Sequence, residues 1–164
     1  MREGRGRAAS TVSLFGLVAL ASFGGVAAAL VSQHVYAMEP CPWCVLQRLV
    51  FLVIGAFALL GLLWPGLVGR QVAAGVALLL ALGGLAAALW QHFVSAASPS
   101  CNLTLADRIV GGLGLDNLLP DVFMPRASCA DAAVNLLGVP YAFWAAALFV
   151  LCALAMLRVL RLRG

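Results

Sequence analysis

A chain of 164 residues that is 64% hydrophobic and only 10% charged, with a mean hydropathy of +1.06, carries more apolar surface than a soluble core of that length can bury. Its net charge of +4 rests on arginines alone, spread along the chain with no lysine, which gives no basic patch for nucleic acid and serves instead as a membrane-orientation signal. The composition therefore excludes a soluble enzyme and describes an integral membrane protein.

Four apolar runs, at about residues 11–31, 45–64, 71–90 and 141–160, have the roughly 20 residues a helix needs to cross about 30 Å of hydrocarbon. Lipid offers no partners to backbone amides, so these runs are expected to be helices. The expected fold is all-α: a single four-span membrane domain over residues 1–164, with two extracytoplasmic loops at about 33–44 and 91–140. The basic start of the chain and Val35-Tyr36-Ala37 resemble a secretory signal and its cleavage site, but the first apolar run is longer than a signal core and reads as a retained span.

Arg2, Arg5 and Arg7 precede the first span, Arg70 lies between the second and third, and Arg158, Arg161 and Arg163 close the chain. Positive residues near span ends stay cytoplasmic, so both termini are expected there. Glu39, Asp107, Asp116, Asp121 and Asp131 fall on the opposite side with the two loops. Gly24, Gly25, Gly55, Gly75, Gly83 and Gly84 read as small residues that let helix backbones approach, and Pro65-Gly66 predicts a tight hairpin between the second and third spans. In the long loop, apolar residues from Leu103 to Leu119 interleave with Asp107, Arg108, Asp116 and Asn117, which predicts one or two short amphipathic helices, broken at Gly111-Gly112 and Gly114 and able to lie on the membrane surface.

The chemistry gathers on the extracytoplasmic side. Cys41-Pro42-Trp43-Cys44 has the spacing of a redox dithiol, and Cys101 and Cys129 form a second, widely spaced pair in the long loop. A tetrahedral zinc site or two purely structural disulfides are the competing readings; the wide second spacing weighs against zinc, and the position of Cys44 weighs against a structural role alone. Cys44 opens the second span, where unpaired amides and the helix dipole favour an anion, and Arg48 follows one turn deeper on the same face, so a reactive thiolate is expected. Arg48 also reads as a snorkelling interfacial arginine, or as a donor to an electron-rich carbonyl oxygen such as that of a quinone. His92, at the end of the third span, is placed to hydrogen-bond such a ligand but reads first as an interfacial side chain; His34 has no assigned role, and Cys152 reads as a buried small hydrophobe.

Four spans, Cys-x-x-Cys-x-x-Gln-Arg opening the second, and a later loop pair resemble the disulfide-bond-formation protein B family, DsbB. The likeness extends through Gln91-His92, Pro99-Ser100-Cys101, Ser128-Cys129-Ala130, Leu137-Gly138-Val139-Pro140 and Trp144, and covers nearly the whole chain. The vitamin K epoxide reductase family uses a related bundle in which the Cys-x-x-Cys follows the loop pair; here it precedes it. Many DsbB-family members carry an Arg-His dipeptide where this chain has Ala86 and Ala87, so no role is carried over from that dipeptide.

The resemblance implies a bacterial inner-membrane thiol:quinone oxidoreductase. It would reoxidise a periplasmic thioredoxin-fold donor of the DsbA type and pass two electrons to ubiquinone or menaquinone, as such systems do in the bacterial periplasm. It implies that Cys101 is attacked by the donor with Cys129 as its loop partner, that thiol exchange then reduces the Cys41–Cys44 disulfide, and that Cys44, held by Arg48, hands the electrons to quinone. No metal is implied. A quinone-independent thiol conduit working as a reductant, and a noncatalytic scaffold braced by disulfides, are the alternative functions that sequence alone leaves open.

Overall fold

The computed structural model describes residues 2–64, 66–97 and 104–162, with side chains from residue 10 onward. Cys101, with Pro99, Ser100 and Leu103, lies outside the described residues, as do Pro65, Arg163 and the side chains of Arg2, Arg5 and Arg7. The elements run α1 (Arg2–Tyr36), α2 (Pro42–Leu63), α3 (Leu67–Trp90), a π-turn (Gln91–Ser95), α4 (Leu105–Gly112), α5 (Leu115–Leu118), α6 (Pro120–Phe123), β1 (Asn135–Leu136), β2 (Val139–Pro140) and α7 (Tyr141–Arg161). Four of these helices are long and apolar enough to span a membrane: Ser10–Tyr36, Pro42–Leu63, Leu67–Ser95 and Tyr141–Arg161.

Their ends follow from local chemistry more than from hydropathy. The first helix runs past the expected residue 31 to Tyr36 and stops where Ala37 takes a positive φ of 52°. The second begins three residues earlier than expected because Pro42, with φ preset for a first turn, follows Cys41, whose sulfur caps the helix by accepting from the Cys44 amide. The third begins at Leu67 and prolongs its last turn as a π-turn. Short connections after α1 and α2 make neighbouring helices antiparallel.

Around the bundle α1 packs on α2, α2 on α3 and α3 on α7, while the closing contact between α1 and α7 is the thinnest of the four. The core of the bundle is built by phenylalanines seated on glycines: Phe15 against Gly61, Phe23 against Gly55 and Phe149 against Gly84. Phe149 also stacks on Phe51 with centroids 3.9 Å apart. Gly25, Gly55 and Gly84 thus act as the packing residues expected, whereas a β-carbon at Gly24, Gly75 or Gly83 would meet nothing within 4 Å among the described residues.

The long loop forms a lid at the cysteine end. Among the described residues it holds three short helices where one or two were expected: Thr104 and Asp107 make a capping box for α4, Gly114 with φ 66° turns the chain into α5, and Pro120 starts α6. A two-stranded antiparallel hairpin pairs Asn135 with Pro140 and Leu136 with Val139 around Leu137 and Gly138, both at positive φ. Strands of two residues leave no alternation to read, so the sequence pattern did not foresee them. Val110 and Phe123 of the lid join Cys41, Trp43 and Val45 in a second apolar cluster that fixes the loop over the mouth of α2.

Candidate active site

Cys41, Pro42, Trp43 and Cys44 form the N-cap and first turn of α2, and that tight turn brings the Cys41 and Cys44 sulfurs to 2.7 Å. Cys41 is fully buried and Cys44 is half-buried, facing a cavity. One turn deeper, Gln47 and Arg48 are buried in a helix that is otherwise apolar.

Cys44 has a dedicated donor. The π-turn that ends the third span starts at Gln91, whose Nε2 donates to Cys44 Sγ at 3.2 Å, while Gln91 Oε1 accepts from Gln47 Nε2 at 2.6 Å. Gln91 itself keeps helical register, its backbone amide donating to the Ala87 carbonyl, and π-turns such as the one it starts are frequent at functional sites. Two neutral amides therefore fix the sulfur without bringing a titrating group to it.

Arg48 is held from the opposite side. Its Nη1 donates to Gln33 Oε1 at 2.7 Å and to the Val122 carbonyl at 3.0 Å, and its Nη2 donates to the Ala29 carbonyl at 3.4 Å. Three of the five guanidinium N–H groups are thus committed to the first helix and the lid, and the side chain still lines the cavity.

Cys129 reaches the first pair through the backbone. The amides of Arg126 and Ala127 donate to the carbonyl of Pro40, the residue before Cys41, at 3.0 and 3.3 Å. This clip sets Cys129 beside Cys41, packed against the same apolar cluster. Cys41, sharing its hydrogen bonds with Cys129 and then Cys44 and buried besides, is pushed well above the ordinary thiol range. Cys129 is lowered, because the Cys41 thiol donates to it and outweighs the burial that opposes ionisation; the Trp43 amide adds to the lowering. In the reduced state the proton is thus biased toward Cys41 and negative charge toward Cys129.

A cavity of about 990 Å³ opens beside these groups. Cys44, Gln47, Arg48 and Gln91 form its polar end, and residues of α1 and α7 such as Ala29, Ala145 and Leu148 form apolar walls, along the seam where those two helices touch least. Tyr141, Glu39 and Asp131 stand at its outer rim.

Of the residues singled out in the sequence, the fold brings Cys41, Cys44, Arg48 and Cys129 together; Cys101 is outside the described residues. His92 packs against Phe93 and Phe143, with centroids 4.9 and 4.6 Å away, and is not among the cavity walls, while His34 is exposed. Cys152 is buried within α7, 4.0 Å from Ser22 Oγ. Sequence reasoning missed Gln33, Gln47 and Gln91 as site residues. Their signal was available: an uncharged amide inside or at the end of an apolar span is costly to bury and needs partners.

A family model described as Disulfide bond formation protein DsbB matches residues 11–159. Among curated proteins, the chain is similar to Disulfide bond formation protein B 1 of Pseudomonas savastanoi pv. phaseolicola, with 40% identity over 85% of this chain and 82% of that protein. It is similar to Disulfide bond formation protein B of Ralstonia nicotianae, 35% identical over 90% of this chain and 92% of the relative. The protein of the same name from Aromatoleum aromaticum is 36% identical over 94% of this chain and 96% of its own length.

Proposed function

The chain belongs to the disulfide bond formation protein DsbB family, and on that footing we propose that it reoxidises a periplasmic thioredoxin-fold dithiol donor of the DsbA type and delivers the electrons to membrane quinone. It is a multi-pass membrane oxidoreductase of disulfide-bond formation. The four spans work as one unit in the bacterial inner membrane, with both termini cytoplasmic and both loops periplasmic. Arg70, Arg158 and Arg161 at the bundle end away from the cysteines support that orientation.

The observation that carries the reading is the adjacency of Cys129, Cys41 and Cys44 beside a cavity with Arg48 at its polar end. The donor thiolate attacks Cys101 of a Cys101–Cys129 disulfide, forming a mixed disulfide and releasing Cys129 as thiolate. Cys129, already against Cys41, attacks that sulfur, forming Cys41–Cys129 and expelling Cys44 as thiolate next to Gln91. The second donor thiol then resolves the mixed disulfide, and the freed Cys101 attacks Cys129. The loop pair is restored, and two electrons are left on Cys41 and Cys44.

The cavity suits a quinone: carbonyl oxygens match the donors of Arg48 and the glutamines, and a long apolar tail matches the small-residue walls along the seam between α1 and α7. A bound quinone, ubiquinone or menaquinone, supplies the acceptor for two electrons and two protons. Arg48 offers a cation and N–H groups at the ring's oxygen, Gln91 holds the Cys44 sulfur in place, the apolar walls exclude water, and Cys41 closes back on Cys44.

The test is a disulfide map after one equivalent of reduced donor, quenched by acid. A Cys41–Cys129 bond with Cys44 free is expected; finding only the Cys41–Cys44 and Cys101–Cys129 bonds at all times would remove the proposed route.

A further inference from the structure

We propose that Gln33 is a positioning residue that locks Arg48 at the cavity and the lid over Cys41 into one unit, a role that rests on the quinone reading above. Gln33 is 6% exposed, lies on α1 one turn beyond Ala29, and stands behind Arg48 rather than among the residues lining the cavity. Its amide faces two ways. Oε1 accepts from Arg48 Nη1 at 2.7 Å, and Nε2 donates to the Asp121 carbonyl at 3.2 Å. The same Arg48 nitrogen donates to the Val122 carbonyl at 3.0 Å, so the start of α6 is gripped by both side chains.

The consequence runs along the lid. From Val122 the chain passes through buried Phe123 to Arg126 and Ala127, whose amides hold the Pro40 carbonyl, and three and two residues later to Cys129. Releasing α6 loosens the clip that sets Cys129 on Cys41. Releasing Oε1 frees Arg48 from the geometry in which it lines the cavity. One buried amide thereby ties the state in which thiol exchange occurs to the state in which the acceptor is held.

Glutamine is the residue that does both, because it accepts and donates; glutamate keeps only the acceptor and leucine keeps neither. Gln33→Glu therefore separates the two halves. Two readouts are measured. The first, free of quinone, is the rate at which diamide forms the Cys41–Cys129 bond in a Cys44→Ser, Cys101→Ser background, where two thiols are oxidised and diamide is reduced to its hydrazine. The second is the KM for a short-chain ubiquinone in the otherwise unmodified chain with reduced donor.

Loss of a hydrogen bond of this kind is expected to slow diamide bond formation roughly tenfold in both Gln33→Leu and Gln33→Glu. The quinone KM is expected to rise roughly tenfold in Gln33→Leu and to stay within about twofold in Gln33→Glu. On Arg48→Ala, Gln33→Leu adds no further rise in KM, as expected for residues acting as one. Equal KM values for Leu and Glu variants, additive effects with Arg48→Ala, or an unchanged diamide rate would each overturn the role. If Gln33→Leu does not fold, the Glu variant's split between diamide rate and KM still decides. A wild-type chain that reduces no quinone would instead refute the functional reading, while the diamide rate would still decide whether Gln33 holds the lid.

Discussion

Replacing Gln91 by leucine removes the donor that reaches Cys44 Sγ at 3.2 Å and strands the Gln47 amide, whose partner lies at 2.6 Å. Leucine fills a similar volume, so the cavity wall is kept. A hydrogen bond to an ionised group contributes about 1.5–3 kcal/mol, and each 1.4 kcal/mol is roughly a tenfold change in rate. Turnover at saturating quinone should therefore fall roughly 10- to 100-fold, with KM for quinone rising less than in Arg48→Ala because the charged donor remains in place. Gln47→Leu should cost less, roughly three- to tenfold, because it removes the support of the donor and not the donor itself. The assay follows quinone absorbance anaerobically in detergent with excess reduced donor. A Gln91→Leu protein turning over within about twofold of wild type would refute the assignment of that amide to the Cys44 sulfur.

Arg48→Ala should raise the quinone KM at least roughly tenfold, since a charged donor is lost at the polar end of the cavity; unchanged quinone kinetics would remove Arg48 from the site. Cys129→Ser should leave Cys101 unable to pass its bond onward and accumulate a donor mixed disulfide on nonreducing gels, and no such band with a competent donor would displace Cys101 as the attacked residue. In a fully reduced Cys101→Ser protein, alkylation of Cys129 should have its midpoint below the ordinary thiol range, because the Cys41 thiol donates to the ionised sulfur; Cys41→Ala removes that donor and should move the midpoint up. A midpoint indifferent to Cys41→Ala would break the contact between them. Gly84→Val should lower the thermal midpoint in detergent, as a β-carbon there overlaps the Phe149 ring and overpacking costs about 1–3 kcal/mol, whereas Gly83→Val, facing open space, should not. Equal midpoints would show that the contact between α3 and α7 relaxes.

The spans were legible because runs of apolar residues this long have one solution in lipid. The ends were less so: the start of α2 is set by a sulfur cap and a proline, which hydropathy does not register. Cys41, Cys44 and Arg48 stood out, as an arginine inside an apolar run always does. What the sequence hid is the joining of loop to bundle. Arg48 and Gln33 bind carbonyls of Asp121 and Val122, and Cys129 is delivered by amides of Arg126 and Ala127 on Pro40, contacts made by backbone groups that every residue carries. Gln91 carries no role in the sequence motif because only the packing of α3 on α2 brings it to Cys44.

On the proposed route, thiol electrons leave through Cys44 to quinone. The most direct measurement follows donor thiols and quinone absorbance together, for wild type and Cys44→Ser, in purified protein supplied with a reduced thioredoxin-fold donor. Loss of two donor thiols for each quinone reduced, abolished by Cys44→Ser, is the predicted result; donor oxidation that consumes no quinone, or that persists unchanged in Cys44→Ser, would contradict it.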